Sequence, residues 1–437
     1  MKSIKKNALR AQLIRGFIGN AGLKLINIPL ILFTGVLLAR LLGPEQYGIY
    51  TFVLSIVALL NLPTQGGLPT LIMRETAKYQ QAGDWERLQG VFKSANGFAV
   101  GISLSIAFVA ATIIMQLHHQ NSKIFLWAFL LLPISALSQV RQALLQGFRK
   151  VVQGSIPEQL VRPLVIIVLL GLSAVSGQQL LACRAVQYSI AGSFAAFFVG
   201  TFLLHKNMPA SVLLAKSTYE FRTWSKSLAI LVLVSGLGIV NNQITTVLLG
   251  ILAAPSDVGL FRVASHGATI LSLGLTVVNA VIAPHIVLFY QSRDYVQLQR
   301  MLTASVRVIF ILALLIFMIY LFQGKMIITL LFGDEYLSSY SALIILSLGQ
   351  LASVAFGSVA LILNMIGKEK KIVKTIVVSI IINIVLCVAL IPNMGSKGAA
   401  IATALSIFSW NFLLSIKIFQ LTGLNSTVLS LKRNVFK

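Results

Sequence analysis

Apolar residues along this chain do not alternate with polar ones. They come in unbroken runs of about twenty, parted by short polar stretches. Hydrocarbon about 30 Å thick takes roughly 20 apolar residues per helix, and the ~10-residue alternation of an outer-membrane barrel is missing. The runs predict twelve helices: α1 Gly16–Ala39, α2 Gly48–Leu71, α3 Ser94–Leu117, α4 Ile124–Leu145, α5 Pro157–Val175, α6 Leu180–Leu204, α7 Leu228–Leu252, α8 Val258–Ala283, α9 Leu302–Phe322, α10 Ser339–Asn364, α11 Ile372–Ile391 and α12 Ala399–Phe419. The fifth is the weakest pattern, because Glu158 and Arg162 lie near its start. The fold class is therefore an all-α polytopic membrane protein.

Composition agrees: 57% of the 437 residues are hydrophobic and 11% charged, too little charge for a soluble surface of this size. The leader carries Lys2, Lys5, Lys6, Arg10 and Arg15, and the run after it is too long for a signal-peptide core, so it reads as a retained first helix. With the N-terminus inside, 28 of the 35 Lys and Arg fall in inner segments. Six fall in outer loops, and Lys24 lies within α1. This bias places both termini in the cytoplasm. It also makes the net charge of +24 a mark of the cytoplasmic face and its anionic lipids rather than of nucleic acid, for which no soluble module exists. No loop is long enough for a catalytic domain. Cys183 and Cys387 sit in apolar runs as packing residues, and no cofactor or metal site is implied; "HHQN" at His118 to Asn121 is an outer loop.

The chain repeats itself. "LLGPEQYGIY" (Leu41 to Tyr50) returns as "LAAPSDVGLF" (Leu252 to Phe261), with Pro44 and Pro255 211 residues apart. "YQQAGDWERLQ" (Tyr79 to Gln89) returns as "YQSRDYVQLQ" (Tyr290 to Gln299). The first pair falls outside and the second inside, so the halves have parallel topology, related by an axis along the membrane normal. Residues 1–204 form an N-terminal six-helix lobe, 205–227 a cytoplasmic linker, 228–420 a C-terminal six-helix lobe and 421–437 a cytoplasmic tail. Two such lobes around a central cleft suit alternating access. Pro44 and Pro255 are expected to stop one helix, with Gly48 and Gly259 turning the chain into the next.

Polar residues inside the apolar runs are the binding candidates. A cation at membrane depth costs about 2.5–3.5 kcal/mol on insertion scales, which singles out Lys24. Asn20, Lys24 and Asn27 fall at i, i+4 and i+7, on one helix face, either lining a cavity or with the lysine snorkelling inward. Ser235, Asn242 and Thr246 give α7 a matching polar stripe, either for sugar hydroxyls or for hydrogen bonds between helices. Arg184 and Arg262 lie near outer helix ends, as interface anchors or at the exit of a cleft. His266, one turn beyond Arg262, is titratable or simply packed.

"LLARLLGPEQYGIYTFVLSIVALL" resembles the first outer loop of the polysaccharide (O-antigen, Wzx-type) flippases, within the multidrug/oligosaccharidyl-lipid/polysaccharide (MOP) exporter superfamily. "LLFGDEYLSSYSALIILSLGQ" is similar to that family's entry to α10 (Phe332, Gly333, Tyr336). "LIPNMGSKGAAIATALS" is similar to its turn before α12 (Pro392, Gly395, Gly398, Ala399, Ala400). The resemblance implies a flippase, not an enzyme. It would move an undecaprenyl-pyrophosphate-linked glycan from the cytoplasmic to the periplasmic leaflet of a bacterial inner membrane, with the polysaccharide polymerase and chain-length machinery as partners. Related lipid II flippases carry cavity cations on α1, α2 and α8. Lys24 and Arg262 match by helix, whereas α2 has no basic residue before Arg74. Drug exporters of the superfamily use intramembrane carboxylates. None of the eleven here is expected mid-membrane, which favours an anionic cargo over the alternatives of a multidrug exporter or a membrane-embedded polymerase or glycosyltransferase.

Overall fold

The computed structural model of the chain describes residues 2–116, 122–177 and 179–429, apart from the side chains of 2–21, 24, 234 and 370. Most of the described residues are helical, and none of them lies in a strand. Among the described residues eleven helices are long and apolar enough to cross a membrane. The first, Leu25–Leu60, holds two of the twelve expected segments, joined across Gly43. The others are α3 Trp85–Gln116, α4 Ser122–Gly147, α5 Val151–Val175, α6 Ala182–Asn207, α7 Phe221–Leu252, α8 Pro255–Gln291, α9 Tyr295–Phe332, α10 Asp334–Phe356, α11 Lys371–Met394 and α12 Ser396–Thr422. Several begin a turn or more earlier than apolarity predicts, because their first turns are polar. The chain is a multi-pass membrane protein.

Single residues make the reversals. Gly43, at φ 70 and ψ 171, ends α1 in one step. Proline disfavours a helical residue before it and fits the first turn of a helix, so Pro44 opens α2, which runs over 44–60 and resumes as Leu68–Ala82. Pro255 likewise sits in the first turn of α8. Gly395, at φ 52, separates α11 from α12, and the Asp257 carboxylate accepts the freed Ser396 N–H at 2.8 Å.

The second repeated stretch proves to be a turn-and-cap device. Gly83 and Arg293 both adopt positive φ. The next N–H reaches back five residues in each, Asp84 to Tyr79 O at 3.0 Å and Asp294 to Phe289 O at 2.9 Å. This is the longer bond of a Schellman ending. Each aspartate then caps the following helix, accepting from Arg87 N at 3.1 Å and from Gln297 N at 3.0 Å. Arg149 and Gly367 close α4 and the segment after α10 in the same left-handed way.

The first repeated stretch has another cause, and the structure corrects the expected role of its glycines. Gly48 and Gly259 do not turn the chain; they lie inside helices. A Cβ on Gly48 would stand 1.7 Å from the Pro255 carbonyl oxygen, and one on Gly259 would stand 2.2 Å from that of Pro44. Each copy of the motif therefore rests its glycine on the other copy's proline carbonyl. Only a residue without a Cβ permits that approach.

Two compact units result. Unit 1 comprises residues 1–42 and 53–239; unit 2 comprises 43–52 and 240–437. Within unit 1, Leu131–Gly147 of α4 packs on the inner piece of α2, on α3 and on α6, around a core that includes Ile72, Leu88, Val140, Leu144 and Leu145. Within unit 2, α10 packs on α8, α9 and the α11–α12 pair, above a core that includes Ile286, Leu298, Leu302, Ile362 and Leu414. The fourth helix of each six is thus the central one, as a duplication requires.

Candidate functional site

In unit 1 a polar cluster forms where α3, α4 and α6 meet. Arg141 is its principal member. It sits six residues from the end of the Ser122–Gly147 span, about 9 Å at helical rise. Its Nη1 donates to Asn96 Oδ1 at 2.6 Å and to Leu137 O at 3.1 Å, and its Nε to Thr201 Oγ1 at 3.4 Å. The guanidinium carbon lies 4.7 Å from the centre of the Phe197 ring. Asn96 and Thr201 are themselves held, by Phe92 O and Phe197 O. All these partners are neutral. Among the described residues Arg141 forms no ion pair, and its Nη2 has no hydrogen-bond partner. A half-buried guanidinium held in a fixed plane, without a counter-charge, is suited to a planar or tetrahedral anion.

Pro157 of α5 stands beside this site, across Gly200. A Cβ there would lie 3.6 Å from the Arg141 Cβ and 3.7 Å from the Pro157 ring. Pro157–Val161 is a π-helical turn, a widening that frees backbone groups and is frequent at functional sites. Pro163 has no N–H to give the carbonyl of Gln159, four residues back. Asn27 Nδ2 donates to that carbonyl at 2.7 Å. Glu158, the acid that made this helix ambiguous, is neutralised by Arg162 at 3.3 Å.

The predicted residues distribute as follows. Asn27 reaches the α5 bulge, so one amide proton serves structure. The side chains of Asn20 and Lys24, on the same helix face, lie outside the described residues, as does His118 to Asn121. On α7, Ser235 is exposed in unit 1, whereas Asn242 is exposed and Thr246 buried in unit 2. Beside Thr246, Thr245 Oγ1 donates to Asn383 Oδ1 at 2.9 Å and receives Thr403 Oγ1 at 3.3 Å, tying α7 to α11 and α12. Cys387 joins this group, its Sγ 3.6 Å from Asn383 Oδ1. Arg262, half-buried, lies within electrostatic range of the Tyr47 hydroxyl inside the repeated motif and of His266. Arg184 is exposed at the start of α6. Among the described residues no group of three His, Cys, Asp or Glu could hold a metal ion.

Sequence reasoning missed Arg141: it fell inside the expected α4, Ile124–Leu145, yet was counted with the inner basic residues and not singled out as a cation within a helix. A usable signal was present: "SQVRQALLQG" holds its arginine within an apolar helical repeat, with Val140, Ala143 and Leu144 around it.

The pattern that defines the polysaccharide biosynthesis protein family matches residues 13–289. No curated protein sequence matches the chain. Solved structures share its fold. The inward-facing form of a multidrug resistance MATE family transporter of the MOP superfamily superposes with a TM-score of 0.77 at 14% identity, over 91% of this chain and 96% of that one. Lipid II flippase MurJ, in an inward closed conformation, gives 0.70 at 15% identity, over 91% and 86%. A MOP superfamily transporter from Pyrococcus furiosus, for which a reversed binding-pocket polarity is described, gives 0.59 at 14%, over 93% and 94%. With 277 of its 437 residues inside that pattern, the chain belongs to the polysaccharide biosynthesis protein family and has the fold of the MOP-superfamily transporters.

Proposed function

We propose that the protein is a flippase for an undecaprenyl-pyrophosphate-linked oligosaccharide, a repeat unit of O-antigen or a similar surface polysaccharide. It carries the unit from the cytoplasmic to the periplasmic leaflet of a bacterial inner membrane. The observation that carries this reading is the charge of the unit 1 site: a guanidinium inside a membrane helix, held by neutral partners only. The acid within the α5 span, Glu158, is spent on Arg162. An anion completes that site and a cationic drug does not. A pyrophosphate supplies the charge, and the amide and hydroxyl groups of Asn27, Asn96 and Thr201 suit a sugar. Lys24 and Arg262 supply further cations on α1 and α8, with Asn20, Ser235, Asn242, Thr246 and Arg184 as further cavity candidates and His266 as a titratable group. The two sequence repeats move as lobes in alternating access, and the product goes to the polymerase and chain-length machinery.

The experiment is deletion of the gene in its host, restored with wild-type, Arg141→Gln or Lys24→Ala protein at equal expression. Loss of the surface-polysaccharide ladder with complete lipid-linked units trapped on the cytoplasmic side supports the flippase. A ladder that survives deletion, or units that reach the periplasm and stay unpolymerised, refutes it; altered drug sensitivity would then point to an exporter.

A further inference from the structure

Unit 1 also contains a cavity of about 360 Å³ to which the site above contributes no residue. Three helical stretches wall it: Leu68 to Glu75 of α2, Val91 to Phe98 of α3 and Phe221 to Leu228 of α7. Each rises about 10 Å. Chain direction sorts the lining by depth. Glu75, Arg222 and Ser225 stand at the end beside the linker, while Leu68, Leu71, Ala95, Phe98 and Leu228 form the far end. The mouth is net basic, because Arg74 at 2.9 Å and Lys78 at 3.5 Å more than neutralise Glu75, and Arg222 is exposed. Phe221, 61% exposed, stands beside that arginine, an aromatic–basic edge of the kind found at membrane interfaces.

The wall from α7 is built in advance. Thr218 N donates to Glu86 O at 3.2 Å, and a Cβ on Gly90 would meet Thr218 O at 1.9 Å, so the linker lies directly on α3. Glu220 pairs with Arg87 at 2.9 Å and accepts the Tyr79 hydroxyl at 3.3 Å. The buried Trp224 donates to the Tyr79 hydroxyl at 3.4 Å. A second hydroxyl, Ser94 Oγ, lies shielded in the cavity wall without a partner among the described residues.

We propose that this cavity binds the phosphate-proximal part of the prenyl chain of a polyprenyl-phosphate lipid, with the phosphate at Arg222 and its basic neighbours. The inference rests on the flippase reading for its lipid class. Three features select that occupant. Apart from the Ser94 hydroxyl the lining is apolar except at one end, which matches an amphiphile with its head outward. The head end is cationic. The volume, about 360 Å³, lies at the small end of ligand cavities. It suits a single-chain lipid, whereas a two-chain phospholipid would leave one chain outside. The cavity would hold the carrier at the inner leaflet while its glycan is loaded elsewhere in the protein.

The test is photolabelling of the full-length protein in phosphatidylcholine nanodiscs with a diazirine-bearing undecaprenyl phosphate. Diazirine-bearing phosphatidylglycerol and phosphatidylcholine are run in parallel. The expected result is undecaprenyl label on peptides covering 68–75, 91–98 or 221–228. The cavity-filling variants Ala95→Phe and Leu228→Trp, each checked for a monodisperse profile, should lower it at least fivefold, and neither phospholipid probe should match it. Undiminished label in whichever variant folds, or equal labelling by phosphatidylglycerol, overturns the proposal. Absent label with intact polysaccharide export removes the cavity's role and leaves the flippase standing. Specific label with export unaffected by gene deletion removes the flippase and keeps a lipid site.

Discussion

Substituting alanine for Gly48 tests whether the repeated Pro-x-x-x-Gly motif is a reciprocal backbone contact. The added methyl would stand 1.7 Å from Pro255 O, and real Cβ atoms essentially never approach closer than 3.0 Å. Relief demands a shift of more than an ångström between two backbone segments, since neither the Pro255 carbonyl nor the Gly48 helix can rotate away. Overpacking of this kind costs about 1–3 kcal/mol. The equivalent contact, Gly259 on Pro44 O at 2.2 Å, predicts a similar loss for Gly259→Ala. Gly101→Ala is the control. Nothing lies within 4 Å of its position, and alanine in a helix interior is worth up to about 1 kcal/mol over glycine. The assay is thermal inactivation in detergent beside restoration of the surface polysaccharide. Both motif variants should inactivate several degrees lower than Gly101→Ala and restore less polysaccharide. Motif variants as stable and active as the control would refute the reciprocal contact.

Arg141→Gln should abolish or strongly reduce restoration of the polysaccharide ladder, while Arg141→Lys retains part of it as a point charge without the planar fork; equal ladders from all three would remove Arg141 from the pathway. Arg293→Gly should raise thermal stability by up to about 1 kcal/mol, since a bulky residue at φ 57 carries strain that glycine lacks, with melting of the variant as the measure. Burial raises the Tyr79 pKa above its ordinary value of 10.0, so the phenol stays protonated longer in the folded state. Its stabilisation is therefore complete below about pH 10 and is lost as pH rises through the folded pKa. Tyr79→Phe should accordingly flatten that alkaline decline in a melting series from pH 8 to 11.

The sequence made the membrane class, the helix order and the duplication legible, because each depends on apolar run length or on residue identity at fixed spacing. It also exposed the capping aspartates Asp84 and Asp294 as a matched pair, though not what they do. Three features escaped it for physical reasons. Gly48 and Gly259 looked like turn residues because sequence cannot separate a glycine needed for its φ from one needed for close approach. The π turn at Pro157–Val161 depends on a carbonyl freed by Pro163 and taken by Asn27, a partner 132 residues away in sequence. Arg141 lay near the inner end of the expected α4, where a basic residue reads as part of the cytoplasmic charge bias, so its neutral setting among Asn96, Thr201 and Phe197 appears only in three dimensions. The polar stripe on α7 was real as a spacing, yet Ser235 belongs to unit 1 and Thr246 to unit 2.

The most direct measurement is leaflet exchange by the purified protein. Proteoliposomes would carry an undecaprenyl-pyrophosphate-linked oligosaccharide labelled on its sugar, with an externally added glycosidase reporting the accessible fraction. The account predicts that wild-type protein lets the enzyme reach nearly all of the glycan, while protein-free vesicles and Arg141→Gln leave about half protected. Protection that stays at half with wild-type protein would contradict it.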